Sequence, residues 1–321
     1  MTSKPADSAA TTFRDMGLPE PILKTLIALG YETPSPIQAA MIPHIMNGRD
    51  VLGQAQTGTG KTAAFALPLL SGLDLKAGKP QVMVLAPTRE LAIQVAEAFQ
   101  KYAENLPHFH VLPIYGGQSY GPQLSALRRG VHVVVGTPGR VIDHLEKNSL
   151  DLSELKTLVL DEADEMLRMG FIDDVETIIR KSPETRQVAL FSATMPAPIE
   201  KLAKKCLNNP KRIETARAAT TNADITAFKV PVKSRSKRET LRWFLENDLV
   251  ENAIIFANRK TTVRELNQSL GRHGFRSSEI HGDMDQASRI KELERFKAGE
   301  VNILVASDVA ARGLDIAGVS H

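Results

Sequence analysis

The sequence predicts an α/β chain of two parallel-sheet domains in tandem, the second incomplete. Three observations carry that expectation. A chain of 321 residues is about twice a typical single domain of 100 to 200. Short runs rich in Val, Ile and Leu alternate with helical patterns along most of it. A polar stretch without periodicity interrupts the alternation once.

The apolar runs lie at 50–53, 82–86, 111–114, 131–135, 157–160 and 188–191, each followed by a helical pattern. Continuous apolar strands of this kind suit a parallel sheet covered on both faces. Residues 12–208 therefore read as the first domain. Residues 1–11, MTSKPADSAAT, lack the apolar core of a signal peptide and read as a disordered tail. Residues 209–225, NPKRIETARAATTNADI, lose the periodicity and read as a linker. The alternation resumes at 253–256, 261–273, 276–280, 286–297 and 301–306, so a second domain is expected over 226–321. It stops just after Val319, where a further strand is expected to begin.

Composition excludes several classes. Apolar residues make up 42% and charged residues 24%, and no apolar run approaches the roughly 18 residues of a membrane span. Cys206 is the only cysteine, which rules out an internal disulfide and a Cys-rich zinc site and points to a reducing, cytoplasmic setting. A net charge of +3 is too small to establish a polyanion partner, and 5% aromatics argue against extensive base stacking. The basic run 233–238, KSRSKR, reads as a solvated linker edge.

Residues 55–62, AQTGTGKT, follow a strand and open a helix, the context of a phosphate-binding loop. Gly58 and Gly60 let backbone N–H groups turn towards phosphate oxygens, Lys61 offers charge to the β and γ phosphates, and Thr62 offers a hydroxyl to Mg²⁺. Ala55 stands where the pattern usually has its first glycine. One hundred residues later TLVLDEAD is an apolar strand ending in acids. Asp161 sits at the strand end where open α/β sheets bind ligands and can hold Mg²⁺, and Glu162 can deprotonate an attacking water. Gln38, in the turn PSPIQ, has the donor and acceptor that match adenine, and Phe13 could stack on the base. On bare chemistry a Gln opening a helix is as readily a surface residue, and TPGR at 137–140 as readily a plain turn.

Phe13, GYETPSPIQ (30–38), AQTGTGKT, PTRELA (87–92), GG (116–117), TPGR, DEAD (161–164), SAT (192–194) and ARGLDIA (311–317) occur in the order and spacing of DEAD-box RNA helicases. From about residue 12 onward the chain resembles that family, most of all its bacterial cold-shock type. The resemblance implies two RecA-like domains, ATP and Mg²⁺ as cofactors, RNA as partner and a monomeric enzyme coupling ATP hydrolysis to strand separation. It implies an ATP site of Phe13, Gln38, Gly58, Thr59, Gly60, Lys61, Thr62, Asp161 and Glu162, with Gly313 and Asp315 facing the nucleotide from the second domain.

Pro87, Thr88, Arg89, Gly117, Thr137, Pro138, Gly139 and Arg140 fall in loops after strands, where they would meet sugar and phosphate without reading sequence. The family uses positions matching Arg259, His281, Gly282, Asp283, Gln286, Arg289, Ser307 and Asp308 for the other half of the RNA groove. Ser307 replaces the usual threonine. Ser192 and Thr194 are expected to hydrogen-bond Asp164 and so link the metal-side loop to the domain interface. The family's next motif, with its arginine finger, does not occur before His321. Without it ATP hydrolysis should be slow and unwinding should fail, while ATP and single-stranded RNA still bind weakly. Protein partners are expected through sequence beyond His321. Two rival readings remain open at this level: an ATP-gated RNA clamp, and a P-loop small-molecule kinase or DNA translocase.

Overall fold

A computed structural model describes residues 12–55, 58–214, 225–248, 250–307, 316 and 318–321. The chain divides into two compact units, Met1–Thr220 and Thr221–His321.

In the first unit the described strands are β1 Val51–Gln54, β2 Val82–Leu85, β3 Val111–Ile114, β4 Val133–Gly136, β5 Thr157–Leu160, β6 Gln187–Ser192 and β7 Lys211–Glu214. They form one sheet in the order β3-β4-β2-β5-β6-β1-β7, parallel at every pairing. Successive side chains alternate faces. Val82 and Val84 of β2 enter one core while Met83 and Leu85 enter the other. The first core is closed by α1 Glu20–Ala28, α2 Pro36–Met46, α3 Lys61–Ser71 and α4 Arg89–Tyr102. The second is closed by α6 Pro138–Glu146, α7 Ala163–Arg168, α8 Ile172–Lys181 and α9 Ala197–Cys206, with α5 Tyr120–Arg129 at its margin. Burial on both faces explains why the strands read as unbroken apolar runs.

One boundary differs from expectation. Residues 211–214 are not linker but the edge strand β7, in register with β1 from Val51↔Lys211 to Gln54↔Glu214. Only Ile213 is buried there, so the strand carries charge on its exposed positions and lacks the apolar run that marks its neighbours. The tail 1–11 and the linker positions 215–224 lie outside the described residues.

The second unit has α10 Lys237–Asn247, β8 Ala253–Ala257, α11 Lys260–Arg272, β9 Ser277–Ile280, α12 Gln286–Lys297 and β10 Ile303–Ser307. Its three described strands are parallel in the order β8-β10-β9. One small core joins α11 to β10, with Leu241 and Leu245 of α10 against it; another joins Phe296 of α12 to Ile280 and Leu304. The edge of the sheet at β8 is occupied at its start, where Ile254 N–H donates to the His321 carbonyl (2.9 Å) and His321 N–H to the Asn252 carbonyl (3.2 Å). Phe256, farther along β8, stays 61% exposed. No described helix is long and apolar enough to cross a membrane.

Candidate nucleotide and nucleic-acid site

All functional loops of the first unit leave the carboxyl ends of its parallel strands, where such sheets bind ligands. The strand order divides that edge in two. β5, β6 and β1 carry the acids, the SAT turn and the glycine loop; β3, β4 and β2 carry GG, TPGR and PTR.

On the β1 side, Gly58 (φ 78°) and Gly60 (φ 89°) adopt the left-handed conformation that glycine tolerates. At Gly60 space also matters, because a Cβ would lie 2.5 Å from Gln38 Nε2. The turn before α2 is stitched to this loop: Ser35 Oγ donates to the Thr59 carbonyl (3.0 Å) and Gln38 Nε2 to the Gly60 carbonyl (3.2 Å). Gln38 Oε1 accepts from Ser35 N–H at 2.8 Å, completing a capping box on α2. Gln38 is thus neither the surface residue of the bland reading nor an amide turned wholly to a base; it braces the glycine loop. Phe13 lies in the core with 3% exposure, packed among the residues that close the first core.

Lys61 opens α3 and is buried at 6% exposure. Its Nζ has no hydrogen-bond partner among the described residues and lies 4.0 Å from Asp161 Oδ1. An unsatisfied buried ammonium is costly, and such a group calls for an anion. Asp161 is 3% exposed, and burial pushes its carboxyl up while Lys61 and the Glu162 N–H (3.0 Å) oppose the rise. Glu162 is held left-handed (φ 50°) at the start of α7. Burial first, then the neighbouring Asp161, raise it to about 7. A non-glycine residue in that conformation costs of order 1 kcal/mol or more, and such strain gathers where a side chain must be aimed.

Asp164 meets SAT as the sequence suggested. Its Oδ2 accepts from Thr194 Oγ1 (2.7 Å) and Thr194 N–H (3.0 Å), and its Oδ1 from Ala193 N–H (3.4 Å). Its own N–H donates to Ser192 Oγ (3.2 Å), which donates to the Thr194 carbonyl (2.7 Å). Burial would raise this carboxyl, but the bonds from Thr194 and Ala193 outweigh it and hold it low.

On the other half, Pro87, Thr88, Thr137 and Pro138 are buried where their strands end, Gly117 and Gly139 are exposed, and Arg89 and Arg140 are half-buried. Thr88 caps α4 by accepting from Leu91 N–H at 3.2 Å. Arg89 lies against Gly117, where a Cβ would come within 2.4 Å of its Nη1. Arg140 donates from Nη1 to Gln123 Oε1 (3.1 Å) and from Nη2 to the Gln118 carbonyl (3.2 Å), its Cζ 4.6 Å from the Tyr120 ring centre. Gln123 was not singled out by sequence, yet it is 1% exposed and central to this half.

In the second unit Arg259 and Gly282 are exposed, whereas Gln286, Arg289 and Ser307 are buried at 6–8%. Gln286 and Arg289, one turn apart on α12, are thus enclosed by the fold and do not form a solvated helix face. His281 accepts from Arg264 Nε (3.1 Å), and Asp283 is bound by Lys260 (2.8 Å) and Arg264 (2.9 Å), which hold its carboxyl below the usual range. Asp308, Gly313 and Asp315 lie outside the described residues.

Comparison with known proteins decides the family. The DEAD/DEAH box helicase model matches residues 35–202, just over half of the chain, and the helicase conserved C-terminal domain model matches 236–321. The chain belongs to the DEAD/DEAH box helicase family. It is 54% identical over 310 residues to ATP-dependent RNA helicase DeaD of Escherichia coli (strain K12), covering 97% of this chain and 49% of that protein. It is 52% identical over 309 residues to the protein of that name from Haemophilus influenzae, covering 96% and 50%. The chain thus spans about half the length of the curated relatives it matches. Among solved structures, S. cerevisiae Dbp5 bound to RNA and ADP BeF3 aligns with a TM-score of 0.87 at 31% identity, covering 97% of this chain and 79% of that one. A DEAD box protein from the hyperthermophile Methanococcus jannaschii aligns with a TM-score of 0.61 at 38% identity, covering 96% and 83%. Within this helicase family the bacterial DeaD type is the one the chain resembles.

Proposed function

We propose that the chain carries the ATP- and RNA-handling core of an ATP-dependent RNA helicase that grips single-stranded or short duplex RNA without reading its sequence and couples ATP hydrolysis to local strand separation. The observation that carries this reading is the division of one sheet edge: an acid–base group on β5, β6 and β1 whose buried lysine has no hydrogen bond among the described residues, and a guanidinium- and hydroxyl-bearing rim on β3, β4 and β2. The names of the DeaD relatives and the RNA-bound Dbp5 structure support it. On this reading it acts in the cytoplasm as a monomer.

The residues present fit Mg²⁺ and a triphosphate. Thr62 and Asp161 offer the hard oxygens that a magnesium ion takes, and the unsatisfied Lys61 Nζ offers the charge that β and γ phosphates need. When bound, the ion supplies neutralisation of developing phosphate charge. Gly58, Thr59 and Gly60 turn N–H groups towards phosphate, with Gln38 and Ser35 fixing the loop from behind. Glu162 orients the attacking water and takes its proton on the carboxylate. The Asp164–Thr194 bonds carry the state of the acid loop to the next strand end. Thr88, Arg89, Thr137 and Arg140, with Arg259 and Gly282 of the second unit, contact sugar and phosphate only, so base identity goes unread.

The test measures ATP turnover with RNA, with DNA and with no polymer, alongside displacement of a short RNA duplex. RNA-selective stimulation with displacement supports the helicase; RNA and ATP favouring each other's binding without displacement leaves an ATP-gated clamp. Affinities for ATP and RNA that ignore each other would end both.

A further inference from the structure

Gln123 projects from α5 into the space between two loops of the nucleic-acid half, and every polar atom of its amide is used. Nε2 donates to the Tyr115 carbonyl (3.2 Å) and to Gln118 Oε1 (2.8 Å), on the turn that carries Gly116 and Gly117. Oε1 accepts from Arg140 Nη1 (3.1 Å) and pairs with His144 Nε2 (2.8 Å), both on α6. The chemistry fixes the orientation of this group. Arginine can only donate, so the atom facing it is the amide oxygen, and His144 must then carry its proton on Nε2. His144 Nδ1 lies 2.7 Å from Ser149 Oγ, whose single proton is shared between Nδ1 and the His144 carbonyl (3.1 Å). His144 is fully buried, and burial first, with Arg140 second, drives it down to about 4, so it stays neutral at physiological pH.

The consequence falls on Arg140. Gln123 and the Gln118 carbonyl hold one N–H of each terminal nitrogen, Asp143 Oδ2 lies 3.9 Å from Nε, and the Tyr120 ring lies 4.6 Å from Cζ. The guanidinium is pinned in its plane with the other terminal protons still available, the arrangement that suits directed contact with a phosphate. Resting on the RNA-helicase reading, we infer that Gln123 is a positioning residue for RNA: it sets the Arg140 guanidinium and fixes the spacing between the Gly116–Gly117 turn and the start of α6, so that both loops meet one RNA backbone. Gln123 does not touch RNA itself. Its Nε2 and Oε1 face the protein, and it is almost fully buried.

The decisive measurement is a cycle of Gln123→Met, Arg140→Ala and the double variant in this chain, titrated with a fluorescent single-stranded oligoribonucleotide in the presence of a non-hydrolysable ATP analogue. Gln123→Met should weaken RNA binding about tenfold, the loss of one charge-assisted bond. It should leave affinity for the analogue without RNA within about twofold, because Gln123 makes no contact with the nucleotide half. In the Arg140→Ala background Gln123→Met should cost only about two- to threefold, the share that comes from loop spacing. Equal losses in both backgrounds, or loss of nucleotide affinity in step with RNA, would reduce Gln123 to general scaffold and overturn the inference. Should Gln123→Met fail to fold, the side-chain ¹⁵N–¹H signal of Arg140 in the unmodified chain, assigned by its loss in Arg140→Lys, decides. Hindered guanidinium rotation that responds to RNA supports the role, and free rotation refutes it. An unmodified chain that binds no RNA would end the functional reading itself, whereas RNA binding indifferent to Gln123→Met ends this inference alone.

Discussion

The two halves of the first unit's sheet edge handle charge in opposite ways. On β5, β6 and β1 a buried ammonium has no hydrogen bond among the described residues, and two carboxyls are raised by burial. On β4 and β3 most of the buried polar groups are bonded: Gln123 uses its whole amide, Arg140 is bound from two sides and His144 is held neutral, with Tyr120 Oη the exception among them. The first half keeps charge in reserve for a ligand that completes it. The second is nearly finished before any ligand arrives, with free donors left on Arg140, as befits contacts that need direction more than strength. Asp164, at the β5–β6 junction, belongs to both patterns, being buried yet fully bonded to Thr194.

The sharpest way to break this contrast is Glu162→Gln. The variant keeps the shape and the left-handed backbone of residue 162 but cannot take a proton, so single-turnover ATP hydrolysis should fall about 10²- to 10⁴-fold while nucleotide affinity persists. Unchanged hydrolysis would remove Glu162 from the role of base. Next comes Lys61→Ala. It should cost about 100-fold or more in affinity for a fluorescent ATP analogue, because the reserve charge and its phosphate partner vanish together. A small loss would mean that Lys61 is satisfied within the protein. Thr194→Val tests the junction. Removing the 2.7 Å bond to Asp164 should lower RNA stimulation of turnover about tenfold and leave nucleotide affinity nearly intact. Loss of both in proportion would make the bond a mere prop of the fold.

How much of this was legible in the sequence follows the same division. The glycine loop, the DEAD acids and the Asp164–SAT pairing could be read because each rests on residue types whose chemistry is local and whose strand context is marked by apolar runs. The finished half was harder. PTR, GG and TPGR were visible as rim loops, but Gln123, a polar residue inside a helical pattern, looks like a solvated position until the fold buries it. Strand β7 escaped because Lys211, Arg212 and Glu214 give an exposed edge no periodicity, and only Ile213 faces the core. Gln286 and Arg289 carry helical spacing that suggests a wet face, while the fold encloses them. Phe13 and Gln38 were read for their affinity to a base, whereas packing and the glycine loop claim much of their capacity. In each case tertiary burial decided what one-dimensional chemistry left open.

The smallest expected effect is also the most direct probe of the finished half. His144 titrates at about 4 in the fold, below its ordinary 6.5, with Arg140, Asp143 and Lys147 as its charged neighbours. At this group the unfolded chain therefore binds more protons than the folded one between those values, and the stability His144 contributes falls as pH falls through that window. Well above 6.5 the full contribution is present; between pH 7 and 5.5 His144 by itself should cost about 1 kcal/mol, or roughly 2–4 °C in the unfolding of a domain this size. His44, also pushed down, adds slope of the same sign, whereas Glu162, raised to about 7, adds slope of the opposite sign, so the useful quantity is a difference. Unfolding of the unmodified chain and of His144→Leu, compared at pH 7 and 5.5, should show the variant less stable at pH 7 but with a shallower pH dependence. Parallel slopes would mean that the imidazole finds a proton acceptor on acidification and that this half is less finished than its hydrogen bonds imply. A shallower slope for the variant would show that the saturated network resists protonation until well below neutral pH, which is what keeps the Arg140 anchor in place.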